Sequence, residues 1–554
     1  MTGDETPTTP AGPVGLDDPN FPITFADPAH VGLSWEWDDM HMPHAFTPLA
    51  GDFAIGISDA FAEPYRRYAA EFGPFPQTWF AAHWNGYVYY AYDRGVPSEG
   101  RQELWDRVVA MARSRIAVTT RYWQDELLPE LHELYAQIEA VPVETLSLAE
   151  VGEGWVAGWN ARQRTWDIHF DVIQGPYQVM DDLVEAYDAA TPGAAPGEAV
   201  RLVAGGRHEL YDMEVATERL GAMATSVPAV AAALGSGVRS IDALRELPGG
   251  AAFVAALEDF LARHGHLGQS VDDLALASWA EEPPNFLTEL AKRIERPAEP
   301  AEVRRARLAE QAEALAAGVR TRLAGVPDDL AKFEAVLQAA REIGLITETH
   351  NYWIDRKSQA VSRTLAMRVG RRLVSEGLVS EPDDILFLHH DEIADTLRRR
   401  IDRHDLVAER RAALERQRTL TPPRFVGKAP EAPIAVDRFN GPQIESTEAN
   451  VMRGTGSSRG VYRGPARVVL TSAEFDRIKP GDVIVCQSTN PSWVPVFTIA
   501  GGLVTNTGGV LSHSAVVARE FGLPAVTGVL GATGTIRDGQ LIEIDGTAGT
   551  VRLL

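Results

Sequence analysis

Four prolines fall within the thirteen residues Thr421–Pro433, and the chain has a different texture on either side of them. Proline fixes φ and cannot extend a helix, so a run of this kind reads as an extended, semi-rigid connector. Before it, apolar residues recur at helical spacing over Glu103–Ala140, Val151–Ile173, Val200–Leu220, Ala251–His264, Glu302–Arg322, Asp328–Ile343, His350–Gly377 and Asp391–Arg418. After it come short apolar runs broken by Gly and Pro. These predict strands over Gly464–Leu470, Asp482–Gln487, Gly502–Thr505, Ala525–Val529 and Gln540–Asp545, with helices over Ser472–Ile478 and Ser514–Phe521. The fold class expected is multi-domain: a mostly α-helical domain with a few strands, followed by a compact α/β domain. The expected boundaries are a disordered N-terminus over 1–20, a helical domain over 21–420, a linker over 421–445 and the α/β domain over 446–554. Within the helical part, Gly86–Tyr92 predicts a strand and Ala189–Ala199 a loop.

Charge and cysteine content exclude several classes. With 52 basic and 77 acidic residues among 554, the formal charge is −25, which argues against nucleic-acid binding. An anionic cofactor then needs a local basic site or a partner. The one cysteine, Cys486, sits in the apolar run Asp482–Cys486 and is expected in a strand core. The first residues carry no basic region or apolar stretch of a secretory signal, and no window is long enough to span a membrane. A cytoplasmic protein is expected.

The segment Thr507–Arg519 carries the chemistry. Gly508 and Gly509 make a loop, and His513 follows at the head of a helix-forming run. An imidazole there meets free N–H groups and the positive end of the helix dipole, a setting that holds phosphate. His513 is therefore a candidate nucleophile that becomes a phosphohistidine; the plain alternative is a helix-capping histidine. Gly508, Gly509, Ser512, His513, Ala515, Val516, Val517, Ala518 and Arg519, followed by Gly522–Val526 and the tail Asp538–Gly546, resemble the phosphohistidine signature of the phosphoenolpyruvate-utilising enzymes. The resemblance implies a swivelling domain that carries phosphate between two sites, with His513 as carrier and Thr507, Gly508, Gly509, Ser512 and Arg519 around the phosphoryl group. Leu511 departs from the threonine usual in pyruvate phosphate dikinases and looks more like the antibiotic- and phenol-phosphorylating branch.

The region before the linker resembles, over looser motifs, the substrate domain of that branch. These motifs are Trp35–Leu49, Phe260–Gly268, Trp279–Pro283 and Gly377–Leu388. No Gly-x-x-x-x-Gly-Lys-Ser/Thr loop is present, and neither an ATP-grasp nor a barrel domain is recognisable. The layout is similar to two-component aryl phosphotransferases such as phenylphosphate synthase. That likeness implies ATP and Mg²⁺ on a separate ATP-grasp-like subunit, with a small, phenolic hydroxyl compound as acceptor. A hydroxyl acceptor needs a base, for which His264 or His350 is the choice. Trp35, Trp37, His41, His44 and His266 are the expected acceptor-pocket residues. No third or fourth ligand accompanies His41/His44 or His264/His266, so no metal site is assigned. A non-catalytic phosphohistidine module that signals through the helical domain remains the alternative.

Overall fold

Helical periodicity before residue 420 becomes a helical domain around one large core, with a smaller core beside it. The computed structural model describes residues 14–554 except 40, 195–196, 269–272, 296, 298, 430–447, 449, 471, 490–492, 498 and 511; side chains are also left aside at 472, 473, 476, 494, 495 and 513. The central helix, Leu148–Val172, starts at a capping box: Ser147 Oγ accepts from the Glu150 N–H, and the Glu150 carboxylate accepts from the Ser147 N–H at 2.9 Å. It packs against Leu128–Glu139, Lys357–Ser375 and Pro48–Phe61. Gly158 permits the close crossing, since a Cβ there would lie 2.7 Å from Leu365. Fully buried side chains such as Ile168, Leu183 and Leu365 each contribute about 1.5–3 kcal/mol by leaving water. The smaller core gathers Phe253, Leu257, Phe260, Phe286 and Leu290 from the helices Gly250–His264 and Pro283–Glu295.

Two of the expected helices are divided at a residue with positive φ. Val200–Leu220 becomes a short 3₁₀ turn, Ala199–Val203, and the helix Glu209–Ser226, because Gly205 adopts φ 81° between them. Asp391–Arg418 breaks at Arg400, which is left-handed at φ 55°, into His390–Arg399 and His404–Gln417. A helix over Gln174–Ala190 was not anticipated, since the Gly175–Pro176 pair reads as a stop.

The N-terminal sheet contains β1 (Ser34–Trp37), β2 (Thr78–Trp84), β3 (Tyr87–Asp93) and β4 (Phe425–Gly427), in the order β2-β3-β1-β4. Strand β4 comes from the segment expected to be linker and pairs antiparallel with β1. Val14, inside the segment expected to be disordered, bridges Gly427. Most of the remaining linker, 430–447, lies outside the described residues.

The C-terminal part is the α/β domain. Its strands are β5 (Val451–Arg453), β6 (Thr455–Ser458), β7 (Val461–Val468), β8 (Val483–Cys486), β9 (Gly502–Thr505), β10 (Ala525–Thr527), β11 (Leu541–Asp545) and β12 (Thr550–Leu553). They form one sheet in the order β5-β12-β11-β7-β8-β9-β10-β6, parallel from β7 to β10 and antiparallel outside. Strands β8, β9 and β10 are buried at every position because both faces of the sheet are covered there. Ile484, Cys486 and Leu503 enter one core, while Val483, Val485 and Val504 enter the other. Cys486 is a free, fully buried thiol whose pKa burial pushes up. Among the described residues no helix is long and apolar enough to cross a membrane.

Candidate functional site

Strand β9 ends at Thr505, and the chain turns through Thr507, Gly508 and Gly509 into the helix His513–Phe521. Thr505 Oγ1 donates to the Thr507 carbonyl at 2.6 Å. The backbone N–H and Oγ1 of Thr507 both donate to the Gln487 carbonyl at 3.1 Å. Gly508 takes φ 102°, a backbone state that side chains resist. Ser512 is the N-cap: its Oγ donates to the Gly509 carbonyl at 2.8 Å and accepts from the Ala515 N–H at 3.4 Å. His513 is thus the first helical residue, where the unpaired N–H groups and the dipole favour an anion. Gly522, left-handed at φ 64°, ends the helix. The His513 backbone is described and its side chain is not; Leu511 lies outside the described residues.

The residues expected around the phosphoryl group divide by role. The hydroxyl protons of Thr507 and Ser512 are engaged inside the turn, on the carbonyls of Gln487 and Gly509. Arg519 lies at the cavity edge and is held by the turn itself. Its Nε donates to the Ser457 carbonyl at 2.7 Å and its Nη2 to the Val510 carbonyl, so it pins the turn to β6. Burial, with Arg201 nearby, lowers this guanidinium to about 10.

A cavity of about 440 Å³ lies between the two domains. The helical domain supplies Tyr177, Met180, Tyr211, Arg304, Leu345 and Glu348, and the α/β domain supplies Val516, Val517, Glu520 and Phe521. Position 513 precedes 516, 517 and 520 by three, four and seven residues, the spacing of one helix face. Burial raises the Glu348 carboxyl to about 7, with Glu520 adding to the rise, and burial brings Glu520 to about 7 as well. The domains meet through an Arg459–Glu198 ion pair at 2.9 Å, the Arg304 guanidinium 4.8 Å from the Phe521 ring centre, and Gln487 Nε2 donating to Asp39 Oδ2 at 2.7 Å. Burial lifts Asp39 to about 6.

None of the residues expected in the acceptor pocket lines this cavity. Trp35 is core: it is 2% exposed, packs on Trp84 and Phe80, and its Nε1 donates to the His30 carbonyl at 2.9 Å. Trp37 Nε1 donates to the Met42 carbonyl at 3.1 Å. His41 pairs with Asp38 at 3.0 Å on the surface, and His44 with Asp273 at 3.0 Å, its ring stacked on Phe46. His264 Nδ1 meets the Tyr352 hydroxyl at 2.8 Å, and the His266 ring stands edge-on to Tyr352 with Nε2 unbonded. Sheet formation buries the aromatic cluster as core, which aromatic content alone does not distinguish from a pocket.

His350 does not line the cavity either; it belongs to a buried cluster with His169 and Asp355. His169 Nδ1 and Asp355 Oδ1 are 2.8 Å apart, and His350 Nδ1 donates to the Ile346 carbonyl at 2.7 Å. Burial lowers His350 to about 4. Burial pushes Asp355 upward, but His169, His350 and Arg356 more than offset this and hold it below its ordinary value. Glu348, Tyr177 and His169 had no sequence signal: isolated polar residues on amphipathic helices read as solvated or core positions.

Residues 478–549 match the family of the PEP-utilising enzyme mobile domain, and residues 177–346 match the rifampicin phosphotransferase fourth domain. The chain is 30% identical to chondramide synthase of Chondromyces crocatus over 97% of this chain and 14% of that protein. It is 33% identical to the rifampicin phosphotransferase of Streptomyces sviceus over 57% of this chain and 36% of the relative, and 29% identical to that of Bacillus subtilis over 56% and 36%. The chain therefore spans between 14% and 36% of the length of these relatives. A region similar to the rifampicin phosphotransferase fourth domain is thus followed by one that matches the mobile domain of PEP-utilising enzymes, a rifampicin-phosphotransferase-like layout.

Proposed function

We propose that this protein is the acceptor and carrier subunit of an ATP-dependent, dikinase-type phosphotransferase. ATP and Mg²⁺ are bound by a separate ATP-grasp-like subunit, and the protein works in the cytoplasm. In the first step an imidazole nitrogen of His513 attacks the β-phosphorus of ATP. AMP leaves, and the γ-phosphate is released by water, so that the carrier keeps one phosphoryl group. In the second step the oxygen of a small hydroxylated, aromatic acceptor attacks that phosphorus. The P–N bond breaks, the acceptor's proton passes to Glu348, and the phosphate ester and free His513 remain.

The cavity is the observation that carries this reading. It is closed on one side by the helix that begins at His513, and it offers a carboxylate, Glu348, together with apolar and aromatic wall residues such as Met180, Tyr177 and Phe521. Its wall also carries Arg201, Arg304 and Glu520, and a wall that mixes apolar and aromatic area with charged groups suits a small aromatic ligand that bears a polar group. The likeness to rifampicin phosphotransferases supports phosphohistidine chemistry, and the part of those relatives outside the matched stretch leaves room for ATP binding elsewhere.

The test is an incubation with β-labelled and γ-labelled ATP, with and without the product of the neighbouring gene, for the protein and for His513→Ala. The expected outcome is label from the β-position only, on the unaltered protein and only with the partner, with one AMP per labelled chain; adding a phenol then moves the label to the phenol and makes AMP accumulate. Equal labelling of His513→Ala, or no labelling under any partner condition, removes His513 as carrier.

A further inference from the structure

Three buried side chains from distant parts of the sequence converge behind the cavity wall. His169 comes from the helix Leu148–Val172, His350 ends the short helix Ile346–His350, and Asp355 lies on the π-helical turn Asn351–Arg356. They are 8%, 2% and 8% exposed, and one donor atom from each lies within 4.8 Å of the other two. We propose that His169, His350 and Asp355 bind one divalent transition-metal cation of the zinc class.

Four features of the cluster support a metal over a simple hydrogen-bonded pair. The donor set is two imidazoles and a carboxylate, which suits Zn²⁺ and its neighbours Co²⁺, Fe²⁺ and Mn²⁺ and is poor for Ca²⁺ or Mg²⁺. His350 has its Nδ1–H fixed on the Ile346 carbonyl at 2.7 Å, which leaves Nε2 as its lone-pair nitrogen. A backbone carbonyl behind a histidine in this way is how metal-ligating imidazoles are usually oriented. The His169 and His350 ring centres are 4.7 Å apart at 73°, which brings a second imidazole up to the His169–Asp355 pair. Lastly, π-turns are rare and concentrate at functional sites, and this one carries Asp355.

Asp355 supplies an anionic ligand, which offsets one of the cation's two charges. His169 Nδ1 becomes a ligand by moving its proton to Nε2, so neutral imidazoles bind and no proton is released. The bound cation would tie the helix Leu148–Val172 to the segment that carries Glu348. Because the readout is metal content, the inference stands or falls separately from the phosphotransfer reading.

The experiment is a titration of chelator-treated full-length protein with Co²⁺, followed by visible absorption and elemental analysis. One equivalent is expected, with d–d bands of a low-coordinate nitrogen/oxygen site and displacement by Zn²⁺. His350→Gln and Asp355→Asn should each weaken binding at least tenfold, while His264→Gln leaves it unchanged. Circular dichroism of each variant verifies folding. Should a variant fail to fold, the unaltered protein still decides: loss of the histidine NMR signals of His169 and His350 on adding Co²⁺ supports the site. Absence of one-to-one binding to the unaltered protein, or equal affinity in folded His350→Gln and Asp355→Asn, overturns it.

Discussion

Replacing Asp39 with Asn should seat the mobile domain more firmly and remove the step in its docking that falls between pH 4 and 6. Asp39 is half-buried against Gln487, whose Nε2 donates to it at 2.7 Å, and burial lifts its carboxyl from 3.8 to about 6. Undocking returns the group toward water and toward its ordinary value. The docked form therefore holds the proton more tightly: docking is strongest below pH 4, weakens as pH rises through about 6, and levels off above that. The full lift corresponds to about 3 kcal/mol at ~1.36 kcal/mol per unit. Asp38, Glu36 and Arg424 remain beside Asp39 in both states and solvent stays in contact, so we expect about 1–2 kcal/mol, roughly tenfold in the docking constant. Asparagine keeps an oxygen for Gln487 and carries no charge to desolvate. Fluorescence energy transfer between dyes on cysteines placed at the exposed Val461 and Val118 reads the docked fraction, and buried Cys486 does not compete for label. Glu520 and Glu348, each lifted from 4.5 to about 7 at the cavity, leave a second transition near pH 7 in both proteins. A pH profile for Asp39→Asn that superimposes on the unaltered protein, or a lower docked fraction at pH 7.5, would refute the reasoning.

Three further outcomes follow from the site. Glu348→Gln keeps the shape of the cavity wall but removes the proton acceptor; transfer to a phenol should fall about 100-fold while His513 labelling is unchanged, as single-turnover kinetics can measure. Leu345→Trp fills cavity space, so the acceptor KM should rise about tenfold at constant labelling, checked by steady-state assay. Gly508→Ala forces a side chain into φ 102° and should cost about 1–2 kcal/mol, seen as faster amide exchange over 507–510 and slower label uptake.

The turn into His513 was legible in the sequence because everything that builds it is local. Glycine supplies the positive φ at 508, serine caps the helix at 512, and glycine ends it at 522. The parallel strands were legible for a similar reason, since Val483–Cys486 and Gly502–Thr505 are unbroken apolar runs covered on both faces. The two textures on either side of residue 420 likewise reflect short-range periodicity. The cavity proposed to take the acceptor had no such signature. Tyr177, Glu348 and Glu520 meet across one cavity from two domains, and His169 finds Asp355 across 186 residues. Periodicity identifies which face of an element is buried, but not which partner buries it. The aromatic cluster at Trp35 and the arginine at 519 show the same limit: their chemistry suited a pocket and a phosphate, while packing made one a sheet core and the other a clamp on two carbonyls. The sequence alone determined the turn into His513 and the division into a helical and an α/β part. Only the tertiary structure decided where the cavity between them lies, because it is made by contacts between segments hundreds of residues apart.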